Sequence, residues 1–399
     1  MTVSARRVIG SEHVEDARRR GRRIVEVLPD DIVTPLAGET AARVGVTLVD
    51  GPLARPDAIR TDGATSLRRV LYRRSPKWVA PKPSAPRHPS RLGKLALVGV
   101  GGVGAAIGLL AAQSDIAHEL ALVDITPGLA EATALDLNHA SGMSRTATRA
   151  IGGSNLDFIH GADVIVVTAG RPRTPGMTRN DLIEINRRVI HRVADAIKTN
   201  APKSIVIVVT NPLDEMTHAM LDATAFPRER VLGMAGTLDS SRFRRALAIA
   251  AGVTPADVEA ITLGAHGDEM VPITSRARIK GRPLDLFLSA EAIEAAAQDA
   301  VTGGGQVVAL RKTGSATLAP AHATVELIDH IRGARAGSVP ASFMLQGEYG
   351  ISDVVLGVPC HLGSRGLIAV EELPLADDEL HGLRQAATAI RARTAGLMA

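Results

Sequence analysis

From Leu95 to Gly236 the chain alternates short apolar runs with longer stretches of helical periodicity. The runs are LALVGVG (95–101), ELALVDI (119–125), DVIVVTAG (163–170), SIVIVVT (204–210) and VLGMAG (231–236). They are rich in Val, Ile and Leu and read as buried strands. Strands alternating with helices predict a parallel sheet covered by helices on both faces. Beyond 236 the pattern changes to EAITLGAHG, Ala-rich helical stretches at 291–313 and 377–395, and shorter strands near 343–358. That predicts a second, mixed α/β lobe. The fold class is thus α/β: a doubly wound parallel sheet of Rossmann type over 93–236, then a mixed α/β domain over 237–399.

The first 92 residues follow a different pattern. SEHVEDARRRG is helix-like, RRIVEVL strand-like, ETAARVG helical and VTLVDG strand-like, which predicts a small module ending near residue 50. So short a piece buries little surface alone. Residues 51–92 are rich in Pro, Arg and Ser and read as linker. Within it TSLRRVLYRR (65–74) spaces Leu67, Val70 and Leu71 as one apolar helical face among arginines. No internal repeat is legible.

Composition refines this picture in three ways. With 45% hydrophobic and 22% charged residues in 399, the chain has room for two or three globular domains. No apolar run approaches the ~18 residues of a membrane span, and the N-terminus lacks the apolar stretch of a secretory signal. The lone Cys360 excludes an intramolecular disulfide or a cysteine-rich zinc site, so a cytoplasmic location is expected. Charge is uneven: residues 1–92 hold 16 Arg and 2 Lys against 10 acids, a net of +8, and the remainder carries −4. The basic pI therefore belongs to the N-terminal quarter. Nucleic-acid or membrane binding by the main body is not indicated.

Candidate chemistry begins at VGVGGVG (98–104). Its Gly99-x-Gly101-x-x-Gly104 ends a strand and opens a helix. Glycines at that spacing permit a tight turn, approach of backbone to a pyrophosphate, and close helix–strand packing. The helix N-terminus offers free N–H groups to the anion. Asp124 ends the next strand, where a carboxylate accepts hydrogen bonds from a ribose 2′-hydroxyl and repels a 2′-phosphate. NAD is expected over NADP.

Two further segments bear on a reaction. GMAGTLDSSRF (233–243) sets Asp239 and Arg242 three apart at a helix start, on one face. GAHGD (264–268) holds His266 between small residues. A histidine held by a carboxylate is the usual proton acceptor near neutral pH. Taken alone, such a histidine is more often structural than catalytic. The loop AGRPRTPGMTRNDL (169–182) adds Arg171, Arg173 and Arg179. Arginine forks match carboxylates, so the set suits hydride transfer on a small anionic 2-hydroxy or 2-oxo acid.

Residues 94–399 resemble the lactate/malate dehydrogenase family, and most the malate dehydrogenases of its lactate-dehydrogenase-like branch. The motifs carrying the resemblance are VGVGGVG, AGRPRTPGMTRNDL, VTNPLD, GMAGTLDSSRF, GAHGDEMVP and GEYGISDVVLGVP. It implies an NAD-dependent oxidoreductase of the tricarboxylic acid cycle, with 169–182 as a substrate lid. It implies His266 as proton acceptor and donor, oriented by Asp239. Arg179 would polarise the C2 carbonyl, Arg242 pair with the C1 carboxylate, and Arg173 grip the distal carboxylate. Asn211 would touch substrate. Gly99, Gly101, Gly102, Gly104 and Asp124 would hold the dinucleotide, with Asn186, Val209, Thr210 and Asn211 around its nicotinamide. Arg171 matches no functional position and reads as solvated. No metal is expected. A homodimer or homotetramer is implied. Two alternatives stand: a lactate dehydrogenase, and a non-catalytic scaffold that keeps the fold.

The family normally starts near the glycine turn, so the first 92 residues are an extension. PDDIVTPLAGETAARVGVTLVDGP (29–52) resembles a short segment on enzymes of bacterial microcompartments. That implies a shell protein as partner and a location inside a microcompartment. The alternative, a basic tail with a chance helical patch, stays open.

Overall fold

In the computed structural model the described residues are 7–19, 24–28, 31–50, 89–172, 177, 179–312 and 314–395. The linker helix expected at 65–74 lies outside them. The chain divides into two compact units at Pro76/Lys77.

The first unit contains β1 (Val8–Ile9), α1 (Ser11–Arg19), β2 (Ile24–Val27), β3 (Ile32–Val33), α2 (Pro35–Val44) and β4 (Thr47–Asp50). Thr34 caps α2 by accepting the Ala37 N–H, Pro35 opens the helix, and Gly45 closes it in the left-handed region. β1 pairs in parallel with β3, and β2 with β4. The unit is therefore two strand–helix–strand halves paired through equivalent strands, a repeat the sequence does not reveal. Ile9, Val14, Val27, Ala37, Ala41 and Val46 form its core.

The second unit begins before its first strand. Arg91 donates to the Asp115 and Ala117 carbonyls at 3.0 and 2.8 Å. Then come β5 (Leu92–Val98), α3 (Gly102–Gln113), β6 (Ala117–Val123), α4 (Leu129–Ser144), β7 (Arg149–Gly153) and β8 (Val164–Val167). α5 (Arg179–Asn200), β9 (Ile205–Val208), α6 (Leu213–Thr224) and β10 (Val231–Gly233) complete the parallel half. Its strand order is β7-β6-β5-β8-β9-β10, so the chain reverses direction between β5 and β8. A crevice opens at that switch point, outside the carboxyl ends of the strands. All residues of β8 are fully buried. Val164 and Val166 face one core, Ile165 and Val167 the other. Both faces being covered explains runs without polar alternation.

After α7 (Gly236–Ala251) lie β11 (Val258–Glu259), β12 (Thr262–Gly264), β13 (Met270–Pro272), β14 (Arg278–Ile279) and β15 (Arg282–Pro283). α8 (Ala290–Arg311), α9 (Leu318–Ile331), β16 (Val339–Gln346), β17 (Ser352–Gly363), β18 (Gly366–Val370) and α10 (Asp377–Thr394) follow. β16 joins β10 antiparallel at Ser342↔Gly233, extending the parallel sheet to eleven strands. The short strands expected near 343–358 are in fact a hairpin of 8 and 12 residues. The sequence reading also missed β7, whose RAIGG has little apolar signal.

Candidate active site

The glycine turn lies between β5 and α3. Gly99 has φ +98°, and a Cβ there would sit 2.6 Å from the Ala169 nitrogen. A Cβ on Gly104 would fall 2.0 Å from the Gly99 carbonyl oxygen. The protein's own packing therefore requires both glycines. Gly101 differs: its backbone is extended, and an added Cβ meets nothing within 4 Å. No side chain caps the start of α3 at Gly101. Those features fit a pyrophosphate cradle. A Cβ on Gly102 would meet Thr317 at 2.7 Å.

Asp124 ends β6 beside this turn. Its carboxylate accepts the Val100 N–H at 2.7 Å and the Thr126 N–H at 2.8 Å. It thus ties the glycine turn to the next loop and still has lone pairs for a ribose. Thr168 donates to the Gly99 carbonyl at 2.9 Å, closing the turn from β8. Gly99, Gly101, Gly102, Asp124 and Thr168 line a cavity of about 1020 Å³ that runs on to Arg171 and Pro172.

A His–Asp–Arg group forms beyond that lining. Asp239 lies in the first turn of α7 and is 1% exposed. Its two oxygens divide between partners: Nδ1 of His266 at 2.8 Å and the Arg242 guanidinium, which donates at 2.9 Å. Burial alone would lower the His266 pKa. The Asp239 charge, its hydrogen bond and the Asp214 charge outweigh burial and Arg242, and the net shift is upward. The Arg242 guanidinium lies against α8, 3.4 Å from where a Cβ of Gly304 would be.

A third cluster joins the end of β8 and the residues after it to the end of β9. Asn186 on α5 is 1% exposed. Its Oδ1 accepts the Arg171 N–H at 2.7 Å, and its Nδ2 donates to the Asn211 and Arg171 carbonyls at 2.6 and 3.2 Å. Thr210 donates to the Ala169 carbonyl at 2.7 Å. Val209 is buried, and Asn211 is exposed. Arg171 is exposed, while Arg173 and the Arg179 side chain lie outside the described residues. Two residues that sequence reasoning passed over are Asp214, present in the VTNPLD motif without a role, and Ser342. Asp214 accepts the His266 main-chain N–H at 2.8 Å and the Ser342 hydroxyl at 2.9 Å.

A six-stranded Rossmann sheet with a glycine cradle at its switch point, and a His–Asp–Arg group beyond it, defines a nicotinamide-dinucleotide dehydrogenase. Residues 93–233 match the family model for the lactate/malate dehydrogenase NAD-binding domain, and residues 236–396 that for the family's α/β C-terminal domain. The chain belongs to the lactate/malate dehydrogenase family, and NAD is its cofactor. It is 41% identical to the malate dehydrogenase of Nostoc punctiforme over 310 residues, covering 77% of this chain and 94% of that one. With malate dehydrogenase 1 of Anaeromyxobacter dehalogenans identity is 42% over 300 residues, 75% and 96% of the two chains. The Cryptosporidium parvum malate dehydrogenase structure superposes with a TM-score of 0.74 at 35% identity, covering 77% of this chain and 99% of that one. A lactate dehydrogenase from the same organism, complexed with lactic acid and nicotinamide adenine dinucleotide, gives 0.74 at 32%, covering 77% and 98%.

Proposed function

We propose that the chain is an NAD-dependent malate dehydrogenase that interconverts (S)-malate and oxaloacetate. The bond between buried Asp239 and Nδ1 of His266 carries this reading. With Nδ1–H donated to Asp239, the other ring nitrogen, Nε2, is the one that takes the malate hydroxyl proton. Asp239 stabilises the imidazolium so formed. Arg242, held by Asp239 at 2.9 Å, pairs with the C1 carboxylate. Arg179 polarises the C2 oxygen and Arg173 receives the distal carboxylate, because a buried dicarboxylate needs a cation for each charge. Asn211 stands at the substrate end. Gly99, Gly101, Gly102, Gly104 and Asp124 hold the dinucleotide, which supplies the hydride acceptor when bound. Asn186, Val209 and Thr210 shape its nicotinamide end.

The relatives named above support this substrate choice. NADH oxidation measured with oxaloacetate beside pyruvate tests it: a strong preference for oxaloacetate is expected. A preference for pyruvate would make the protein a lactate dehydrogenase, and no turnover of either would leave a scaffold. The same reading takes the enzyme as a cytoplasmic homodimer or homotetramer acting in the tricarboxylic acid cycle. Residues 1–92 are taken as a tethered module that engages a microcompartment shell protein. The domains run 1–50, 51–92, 93–236 and 237–399.

A further inference from the structure

We propose that Asp214 is a positioning residue for the proton relay: its buried carboxylate clamps the main chain of His266 and holds negative charge behind the imidazole. This deepens the dehydrogenase reading and rests on it. Asp214 lies in the first turn of α6, three residues after Asn211, and is 1% exposed. One oxygen accepts the His266 N–H and the other the Ser342 hydroxyl of β16. Three separate stretches of chain meet on this single carboxylate.

The loop it grips needs an outside anchor. His266 is followed by Gly267 at φ +151° and preceded two residues earlier by Gly264 at φ +89°. Glycines so placed leave the loop's path soft. Its far end is also tied to α6. Arg393 of α10 donates to Glu215 and to Glu269, each at 2.7 Å. Two consecutive acids of α6 thus secure residues 266 and 269, one directly and one through an arginine.

The choice of a carboxylate is informative. An asparagine satisfies the same two contacts, since its oxygen accepts from His266 and its amide donates to the Ser342 oxygen. It does so without burying a charge. Here burial and neighbouring Glu215 push the Asp214 pKa up to about 6, so the ionised form is held at a cost to folding. Among the described residues, the charged groups facing His266 are Asp239 and Arg242 on α7 and Asp214 on α6. Asp214 adds to Asp239 in favouring the imidazolium. Removing its charge must lower the His266 pKa. Reduction, which uses imidazolium, then fails at lower pH, and oxidation, which uses neutral imidazole, persists to lower pH.

The test uses the full-length protein and three variants. Asp214→Asn removes charge but keeps both contacts; Asp214→Ala also removes the anchor; Ser342→Ala weakens the carboxylate's support. The readouts are pH profiles for oxaloacetate reduction and malate oxidation, NADH affinity by fluorescence, and histidine NMR titration, with His266→Gln assigning the signal. In Asp214→Asn, both kinetic limbs and the His266 titration should move down by about half a unit or more. NADH affinity should stay within about twofold, because Asp214 is outside the cleft lining. Asp214→Ala should add a fall of about tenfold in kcat. Ser342→Ala, which decides the matter if neither Asp214 variant folds, should shift the limbs less and in the same direction. An unmoved His266 titration in a folded, NADH-binding variant overturns the proposal. Wild-type protein inactive on oxaloacetate overturns the functional reading instead, and the NMR titration still reports on Asp214.

Discussion

Replacing Asp239 with asparagine breaks the pair at the centre of the site. The carboxylate serves His266 on one oxygen and Arg242 on the other. An asparagine has one acceptor oxygen, so its amide must confront either the Nδ1–H or a guanidinium N–H. In a partly buried site, two unit charges about 4 Å apart interact by about 4 kcal/mol. Cutting one member from a buried pair costs roughly 2–5 kcal/mol, so kcat/KM for oxaloacetate should fall about 30-fold to several thousand-fold. The pH dependence has a definite sign. Asp239 raises the His266 pKa, so its loss lowers it, and reduction should fade at lower pH than in the wild type. NADH affinity should change little, because Asp239 does not line the cleft. Stopped-flow turnover across pH, with NADH fluorescence titration, measures each quantity. Activity within about fivefold of wild type at every pH would refute the relay. So would a loss in NADH affinity as large as the loss in kcat/KM.

Gly101→Ala should leave the melting temperature unchanged while weakening NADH binding about tenfold or more, since its Cβ enters empty space meant for the pyrophosphate. Gly104→Ala should instead lower stability by roughly 1–3 kcal/mol, because its Cβ falls on the Gly99 carbonyl; equal melting temperatures for the two variants would contradict this. Asp124→Ser should narrow the preference for NADH over NADPH and also raise the KM for NADH, because the carboxylate holds the Val100 N–H; an unchanged cofactor ratio counts against it. Arg173→Gln should cost some 30-fold or more in kcat/KM for oxaloacetate and far less for pyruvate, as expected for a stranded carboxylate; equal losses on both substrates would remove Arg173 from the distal position. Deleting residues 1–88, which keeps the Arg91 contacts to Asp115 and Ala117, should leave an active enzyme; aggregation or inactivity of the truncated chain would make the extension part of the dehydrogenase fold.

The parallel sheet, the glycine turn and Asp124 were legible in the sequence because each rests on short-range spacing. Runs such as VIVV form strands buried on both faces, and a glycine at 99, 101 or 104 answers to a turn only six residues long. The position of β7 was not legible, because RAIGG carries neither length nor apolar density and is held by pairing with β6. Nor was the hairpin of β16 and β17, whose pairing with β10 makes one sheet of what reads as two lobes. The repeated halves of the N-terminal unit emerge only through strand pairing, since their side chains differ. Motifs named His266 and Asp239, but spacing could not bring them within 2.8 Å. Motifs named Asn186, but only packing shows that its amide joins the main chains of two loops, at residues 171 and 211. Asp214 and Ser342, 128 positions apart, meet only because α6 packs against β16. Propensity and turn chemistry act over a few residues, and the sequence displays them. A proton relay needs groups from distant segments at hydrogen-bond distance, and packing of the folded core alone brings them there.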